Sequence, residues 1–530
     1  MKISFIGGTR TVTGSSFLIS TDSANVLVDC GMFQGRRDLV ARNYLESIYD
    51  PRDINALVLT HAHIDHSGLI PKLVKDGFSG RIHATRATTD LCGLMLADSA
   101  HIQEMESRWK TSKNRRRGLG EAPPLYTVKD AERAMTHFDP VTYDRSFSPA
   151  PGVEVIFRDA GHILGSAMAE VWVTDGGKKT KLVFSGDVGT SDQPIIRDPS
   201  VITEADFLFI ESTYGNRLHK TIEQSKEEFT DALLATIGRG GKVIIPSFAV
   251  GRTQEIIYYL AELSRAGKLP NIPVIVDSPM ATSATQIIKN NPDCFDEDIN
   301  GLMAEGKRPL DMPTLKFTRS TEESMAINTL KGSAVIISSS GMCDGGRIKH
   351  HLRHNLWRPE TTVIFVGFQA EGTLGRRIVN GDDTVRIFGE EIQVNAKIYT
   401  INGLSAHADR DGLLDWASHF RGSAPMTFVV HGEERAAFDF ARTLQAELSL
   451  KTYVPDWGET LELLPNKAFR TLSVTEVGEK IGIFAGKFKR DLAYIKDKIA
   501  RIERKGIAGK KDVSDRLGVI KNILGEIEEE

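Results

Sequence analysis

Apolar residues fall in short runs over the first 210 positions, separated by Gly, Thr, Ser and Asp. Residues 1–49 alternate apolar and polar positions between such turn residues, which predicts a series of β-hairpins. The run at residues 56–60 is apolar and β-branched, which is typical of a buried strand. Similar runs precede His162 and Asp187. The first part of the chain is therefore predicted to be rich in short strands.

From about residue 211 the pattern changes to strand-length apolar runs that alternate with helical segments. Such alternation predicts a mostly parallel sheet. After Leu464, apolar residues recur every three or four positions from Phe484 to Ile502, which predicts an amphipathic helix. The domains expected on this basis are 1–210, 211–395, 396–464, which returns to the earlier strand-rich style, and a helical extension over 465–530.

Composition adds that the chain is an ordinary globular protein. It has 530 residues, 41% of them apolar and 26% charged, and a net charge of −4. No apolar run approaches the ~20 residues that cross a bilayer, and a strand begins at once, so we expect no membrane span and no signal peptide. The four cysteines are far apart and form no Cys-x-x-Cys pair. This favours a reducing cytoplasm and leaves His, Asp and Glu as the only metal ligands.

The densest candidate chemistry lies at residues 60–67, Thr-His-Ala-His-Ile-Asp-His-Ser. Three imidazoles and a carboxylate follow a predicted strand directly, and open α/β sheets usually carry their sites at such strand ends. Imidazole with carboxylate is the usual donor set for zinc. The spacing allows the first two histidines to share one ion while the Asp-His pair turns toward another. A surface cluster of histidines without a role is the alternative.

Other predicted strands also end in acids or histidines. Asp29, His162 and Asp187 each follow one, so that with His61 four strands in succession end in a ligand-type residue. Each position alone is more often structural, and Asp29 also fits a turn. Their repetition indicates a metal site that gathers ligands from several strand ends, with enough of them for two ions. The pattern recurs later in the chain at Glu211, His407 and His431.

The run at residues 110–117 is the most basic in the chain and contains Arg115, Arg116 and Arg117. It is either a solvated loop or a contact to a phosphate backbone, which would add affinity but no sequence specificity. Because the net charge is slightly negative, a nucleic-acid partner would depend on a local patch of this kind.

Together these motifs resemble the metallo-β-lactamase fold and, within it, the β-CASP nucleases. The first likeness rests on the His-x-His-x-Asp-His run with Asp29, His162 and Asp187. The second rests on three additional motifs, which here contain Glu211, His407 and His431. The segments 246–252 and 337–342 also look like that group. The resemblance covers residues 1–464 and is closest to bacterial and archaeal relatives of the endonuclease subunit of the cleavage and polyadenylation specificity factor.

The resemblance implies an α/β fold, an αββα sandwich with an inserted β-CASP cap, and an active site in the cleft between them. It implies two zinc ions per chain. The ligands implied are His61, His63 and His162 for the first ion, Asp65, His66 and His431 for the second, and Asp187 as a bridge. Asp29 would orient ligands without touching the metal.

The chemistry implied is hydrolysis of a phosphodiester by a hydroxide that two metals activate. The residues expected to take part in catalysis are Asp65, Asp187, Glu211 and His407. Glu211 would hydrogen-bond His407, which would protonate the leaving oxygen as a general acid. A buried pair that only holds the cap on the body is the alternative. The expected RNA contacts are Ser405, Ser339 and the three arginines of the basic run.

A histidine at the third additional motif resembles the RNA-processing branch of the family, whereas the DNA-repair branch typically has an apolar residue there. His431 therefore favours RNA as substrate, and the expected partner is RNA, preferably single-stranded. The expected function is a cytoplasmic, homodimeric ribonuclease of RNA processing or decay that leaves 5′-phosphate and 3′-hydroxyl ends. Spacing does not separate endonuclease from 5′–3′ exonuclease action. The alternatives are a DNA nuclease, a small ester or thioester hydrolase, and a non-catalytic scaffold.

Overall fold

Antiparallel hairpins open the fold, as the alternation over residues 1–49 predicts. Lys2–Gly7 pairs with Ser16–Ser20, and that strand pairs with Asn25–Val28. The structure, a computed structural model, describes residues 1–116, 120–367, 369–464 and 467–472. The expected helical extension from residue 473 onward lies outside the described residues, and so does Arg117.

Strands and helices follow one another along the described part of the chain. The strands are β1 (Lys2–Gly7), β2 (Ser16–Ser20), β3 (Asn25–Val28), β4 (Ala56–Val58), β5 (Arg81–Thr85), β6 (Phe138–Val141), β7 (Ser146–Ala150), β8 (Val153–Asp159), β9 (Ala167–Asp175), β10 (Lys178–Phe184), β11 (Phe207–Ile210), β12 (Val243–Pro246), β13 (Val274–Val276), β14 (Leu315–Phe317), β15 (Val335–Ser338), β16 (Thr362–Phe365), β17 (Thr384–Ile387), β18 (Glu390–Gln393), β19 (Lys397–Thr400), β20 (Met426–Val429), β21 (Lys451–Tyr453), β22 (Thr460–Leu464) and β23 (Ala468–Thr471). The α-helices are α1 (Arg37–Arg42), α2 (Ile64–Ser67), α3 (Ile70–Lys75), α4 (Arg86–Arg115), α5 (Val128–Met135), α6 (Ile222–Gly238), α7 (Arg252–Arg265), α8 (Pro279–Asn290), α9 (Glu297–Ala304), α10 (Thr321–Ala326), α11 (Ile348–Asn355), α12 (Leu374–Val379), α13 (Arg410–Ser418) and α14 (Glu434–Leu448). Single 3-10 turns occur at Pro51–Asp53, Pro292–Cys294, Ile327–Thr329 and Asn402–Leu404.

Two sheets pack face to face and enclose an aromatic core. The first has the strand order β23-β22-β1-β2-β3-β4-β5-β6, and the second has the order β21-β20-β11-β10-β9-β8-β7. In the second sheet Phe209 stacks between Phe184 and Phe428, with ring centroids 4.3 and 4.9 Å away. Phe5 and Phe17 reach the same ring from the first sheet. Along β8, buried and half-buried residues alternate, which is the period of a strand with one face in such a core.

Helices cover the outer faces of both sheets. Leu73 of α3 and Leu91 of α4 share a buried cluster with Leu57 of the first sheet. Trp416 of α13 and Phe440 of α14 lie in a second cluster, on the outer face of the other sheet. The body of the chain is therefore four layers deep, and the expected αββα sandwich is confirmed.

The chain leaves the second sheet after β11 and returns to it at β20, which pairs directly beside β11. Between these strands lies a third sheet with the order β14-β13-β15-β12-β16-β19, in which the pairings of the described residues are parallel. We call this inserted unit the cap. Its last strand, β19, reaches Thr400, beyond the boundary expected at residue 395. The cap extends to Thr400 because β19 pairs in parallel with β16, with Ile398 opposite Val363, and so forms the edge strand of the cap sheet.

The cap packs directly against the body. Ile196 of the body forms an isolated β-bridge with Phe295 of the cap, and Asn291 Nδ2 donates to Asp90 Oδ2 of α4 at 3.1 Å. None of the helices in the described part of the chain combines the length and the hydropathy needed to cross a lipid bilayer.

Candidate metal centre

The strand ends of both sheets meet at one edge of the sandwich, and they carry acids and histidines. In chain order these are Asp29 after β3, His61 and His63 after β4, His162 after β8, Asp187 after β10 and His431 after β20. Asp29 and His431 have positive φ angles of 60° and 44°. Such angles are uncommon outside glycine and cost energy, so they indicate positions where the placement of the side chain matters.

One carboxylate oxygen of Asp187 faces a group of three histidines. Asp187 Oδ2 lies 3.4 Å from Nε2 of His61 and 3.5 Å from Nε2 of His162. Nδ1 of His63 lies 3.1 and 3.2 Å from the same two nitrogens. Ligand atoms that are each ~2.0–2.1 Å from a tetrahedral zinc ion are roughly 3.3 Å apart. The group therefore has the spacing of a metal ligand shell.

The other oxygen of Asp187 faces a second group. Asp187 Oδ1 lies 3.3 Å from Nε2 of His66 and 3.5 Å from Nε2 of His431. Asp65 Oδ2 lies 4.0 Å from that same nitrogen of His431. The ligand atoms of each group all lie within 4.8 Å of one another. Asp187 thus presents one oxygen to each group, which is the arrangement of a bridging carboxylate.

The donor atoms of both groups fit divalent cations. His66 Nε2 and Asp187 Oδ1 are buried and make no hydrogen bond with any described residue, so a cation between them would satisfy both. Burial lowers the pKa of four imidazoles, those of His61 and His162 well below the ordinary value, that of His63 to about 4 and that of His431 to about 3. Neutral imidazole is the form that binds a metal, so these side chains are ready to act as ligands at neutral pH.

His66 is held differently, by a carboxylate on each side. Burial disfavours its charged form, but Asp187 and Asp29 outweigh burial and raise the pKa of His66 well above the ordinary value. The carboxylates therefore create a place that attracts positive charge, which a metal ion would supply in the same way as a proton.

Hydrogen bonds behind the ligands fix their orientation. Asp29 accepts from the backbone N of Thr60 at 2.8 Å and from its hydroxyl at 2.9 Å, and it lies 2.8 Å from Nδ1 of His66. Ser15 Oγ lies 2.6 Å from Nδ1 of His431. In both pairs the back nitrogen is engaged and Nε2 is left for the metal. The sequence pattern did not reveal Ser15, because its partner is 416 positions away.

Glu211 and His407 form a pair at the border of the first group. His407 Nδ1 lies 3.2 Å from Glu211 Oε1 and 3.9 Å from Asp187 Oδ2. Glu211 is fully buried and also accepts from the backbone N of Val188 at 2.7 Å. Burial disfavours a charged His407, but Glu211 and Asp187 outweigh it and raise the pKa of His407 to about 9. The ring therefore carries a proton at neutral pH, while 21% of its side chain stays exposed.

The residues expected to contact RNA lie in different surroundings. Ser405 is buried, and its hydroxyl accepts from the backbone N of His407 at 3.3 Å, so it supports the loop of the proposed acid. Ser339 is half-buried at the end of β15 and donates to Ser278 Oγ at 3.1 Å.

The basic run is remote from the metal centre. The helix α4 begins beside that centre, where Thr85 Oγ1 donates to the carbonyl of Gly165 at 2.7 Å. Arg115 ends this helix of 30 residues, so it lies about 40 Å further along the axis. Arg115 pairs with Glu121 at 3.1 Å, and Arg116 is exposed beside it. The structure does not bring these arginines to the metal ligands.

Three protein-family models match the chain. Residues 9–247 match the Metallo-beta-lactamase superfamily, residues 253–378 match the Beta-Casp domain, and residues 391–455 match the Zn-dependent metallo-hydrolase RNA specificity domain. These matches follow one another along the body, the cap and the return to the body.

Individual proteins are similar over most of the chain. Ribonuclease TTHA0252 of Thermus thermophilus is 37% identical over 444 residues, which span 84% of this chain and 96% of that protein. Transcription termination factor FttA of Methanocaldococcus jannaschii is 32% identical over 465 residues, which span 86% of this chain and 70% of that protein. A solved structure of a protein of unknown function from Enterococcus faecalis covers 87% of this chain and 99% of its own, with a TM-score of 0.50 at 12% identity, and supports the fold alone.

Proposed function

The chain belongs to the β-CASP family of metallo-β-lactamase-fold, metal-dependent hydrolases, and on that premise we propose that it cleaves RNA with two zinc ions held at the centre described above. The match to an RNA specificity domain and the likeness to a protein named a ribonuclease support RNA as the substrate. A DNA nuclease or a small-ester hydrolase has no such support.

The observation that carries the proposal is the position of Asp187 between two groups of three ligands each. The ligands proposed for the first ion are His61, His63 and His162, and those for the second are Asp65, His66 and His431. Two divalent cations bound there would supply Lewis-acid activation of water and stabilise negative charge on a phosphodiester. Of the two proposed carboxylate ligands, Asp65 is more exposed than Asp187, with 23% of its side chain accessible to solvent. Asp65 therefore lies on the side of the centre from which substrate can approach.

His407 is the group that we propose as proton donor. Its Nδ1–H is held by Glu211, which leaves the proton on Nε2 as the one that can be transferred. Cleavage that leaves a 5′-phosphate expels a 3′ alkoxide, and the Nε2 proton would convert this leaving oxygen into a 3′-hydroxyl. Against the lowering effect of burial, Glu211 raises the pKa of His407 and so favours the protonated ring. Glu211 in turn positions the ring and stabilises its charge.

Several finer points belong to the same proposal. We propose that the enzyme acts as an endonuclease on single-stranded RNA and that it can also trim from the 5′ end. The amphipathic pattern from Phe484 to Ile502 supports a homodimer. The four cysteines are free and buried, which supports a reducing compartment such as the cytoplasm.

The deciding experiment uses one sequence, synthesised as labelled single-stranded RNA and as DNA. Zinc-loaded wild type is compared with Asp65→Ala and with the exposed control Asp22→Ala. We expect wild type and the control to cut RNA to 5′-phosphate and 3′-hydroxyl ends, and Asp65→Ala to be inactive. Equal cutting by wild type and Asp65→Ala contradicts the metal mechanism, and cutting of DNA alone contradicts the substrate.

A circular RNA of the same sequence then separates the two modes of attack. An endonuclease linearises the circle, whereas an enzyme that needs a 5′ end leaves it intact. We expect linearisation by wild type, and an intact circle beside a degraded linear RNA would contradict the endonuclease proposal.

A further inference from the structure

Phe248 keeps a large apolar ring exposed on the cap, directly after the central strand β12. Its side chain is 40% exposed, although its neighbours Ser247 and Ala249 are buried. Exposing such a ring forfeits the free energy that burial of its apolar surface would supply.

Each of the other exposed Phe and Trp rings in the described residues is covered by a cation, and Phe248 is not. A Lys or Arg lies over the ring of each of the other exposed Phe and Trp residues in the described chain, namely Trp109, Trp357, Phe388, Phe438 and Trp457. Neither a cation nor a second aromatic ring of the described residues stacks on Phe248. The loop's own cation, Arg252, is buried and paired with Glu255. The ring therefore offers a free π-surface.

One side of the ring packs against glycine backbone. A Cβ atom on Gly341 would lie 2.9 Å from Cδ2 and Cε2 of Phe248, so the ring occupies the space that a side chain at residue 341 would need. The loop is also fixed, because Thr253 Oγ1 donates to the carbonyl of Phe248 at 2.6 Å and Ser247 N donates to the carbonyl of Ser338 at 3.1 Å. A ring that is already ordered loses little entropy when a ligand stacks on it.

The loop that carries Phe248 contacts the body beside a proposed metal ligand, and the ring itself lies against a turn that contains two serines. Three residues after Phe248, a Cβ on Gly251 would lie 3.2 Å from Ile163 Cγ2, and Ile163 follows the ligand His162. On the other side, Gly341 follows the hydroxyl groups of Ser339 and Ser340. An aromatic surface within one loop of the proposed metal ligands matches the base of a single nucleotide.

We propose that Phe248 is a stacking platform for one unpaired nucleobase of the RNA, at a fixed position relative to the cleaved bond. This inference rests on the proposed function, since it names how that substrate is positioned. Phenylalanine has no hydrogen-bonding edge, so the platform would accept any of the four bases while rejecting a duplex, whose bases are stacked on one another. Phe248 thereby contributes to the preference for single strands.

The test combines protein variants with abasic RNA. The substrates are one single-stranded RNA with a mapped cleavage site and a series in which an abasic nucleotide replaces each position near that site in turn. The proteins are zinc-loaded wild type, Phe248→Leu, Phe248→Trp and the control Trp357→Leu. Trp357 is an exposed ring of the same cap that precedes β16, and so lies at the opposite end of the parallel sheet.

We expect Phe248→Leu to raise KM about 5- to 100-fold with kcat little changed, which is the range for loss of one base–aromatic stack. Phe248→Trp and Trp357→Leu should stay within about 3-fold of wild type. At one position of the RNA, an abasic nucleotide should raise the KM of wild type by a similar factor. The same abasic nucleotide should not raise the KM of Phe248→Leu any further. Binding of a 2′-O-methyl RNA that resists cleavage should follow the same order.

An unchanged KM for Phe248→Leu, or abasic effects of equal size in both proteins, would overturn the platform. If Phe248→Leu melts at a lower temperature than wild type, its KM no longer tests the platform. The abasic series measured with wild type and with Phe248→Trp then tests it, because both proteins keep a large apolar ring in the loop. Absence of RNA cleavage by wild type is a separate result, which contradicts the proposed function itself.

Discussion

The hydroxyl of Ser15 lies 2.6 Å from Nδ1 of His431 and so joins the first loop of the chain to the last of the proposed metal ligands. The backbone of His431 has a positive φ and donates its N–H to the carbonyl of Gly8 at 2.6 Å. Two bonds from the first loop thus hold a residue whose backbone conformation is unfavourable. With Nδ1 engaged, Nε2 of His431 points to Asp187 at 3.5 Å.

Removing that hydroxyl is expected to weaken metal binding. Ser15→Ala should lower the affinity for zinc about 10- to 100-fold, because the imidazole of His431 loses the bond that sets its orientation. Competition with a chelator of known affinity measures this. Ser16→Ala is the matched control, since the Ser16 hydroxyl is buried next to it and bonds to no described residue. Equal affinities in the two variants would contradict the role of Ser15.

Removing the carboxylate of Asp187 is expected to weaken the binding of both metal ions. Asp187→Ala should lose most bound metal after gel filtration, because both groups of ligands face an oxygen of this side chain. Metal analysis per mole of protein measures the loss, with Asp22→Ala as the exposed control. A variant that kept its full metal content would show that Asp187 is not a shared ligand.

His407→Ala separates the proton donor from the ligands. We expect it to keep the metal content of wild type and to lower kcat about 10²- to 10⁴-fold, the usual contribution of general acid catalysis. Single-turnover cleavage of RNA, measured beside metal analysis, gives both quantities. Loss of metal would instead assign His407 to the ligand set.

Glu211→Gln is expected to shift the pH dependence of kcat. The active form of His407 is the imidazolium, whose pKa is lowered by burial and raised by Glu211, so activity is present below that pKa and lost as the pH rises through it. Glutamine fills the same volume and can still accept from Val188, but it has no charge to raise the pKa of His407. The alkaline fall of kcat should therefore move about 1–3 units toward lower pH. Identical pH profiles of kcat for wild type and Glu211→Gln between pH 6 and about pH 10.5 would contradict the role of His407 as the general acid.

The aromatic core predicts that a buried and an exposed phenylalanine differ in their contribution to stability. Phe209→Ala should lower the free energy of unfolding by about 3–5 kcal/mol, because the ring is fully buried among four others and its removal leaves a cavity. Phe438→Ala is the control, since that ring is 41% exposed. Denaturant unfolding of the metal-free proteins compares them. A loss no larger than that of the control would contradict the packing described for the two sheets.

Local patterns predicted the strand ends that carry Asp and His, whereas the αββα layers followed only from the resemblance to the metallo-β-lactamase fold. A continuous apolar run followed by Asp or His identifies a strand end without knowledge of its neighbours, as at His61 and Asp187. The pattern did not reveal Ser15, whose importance arises only where its loop meets residue 431. It also did not place the arginines of α4, because periodicity does not show in which direction a long helix leaves the centre. Phe248 lay in a recognised segment, yet its exposure depends on the glycine surface that another strand provides.

The distance along the chain between His66 and His431 has a consequence for synthesis. The ribosome adds about 5–20 residues per second, so the 365 positions between these ligands take roughly 20–70 seconds to emerge. Both sheets of the body also take strands from the region after residue 425, so neither sheet is complete during that interval. The proposed metal centre therefore becomes complete only after most of the message that encodes it has been translated.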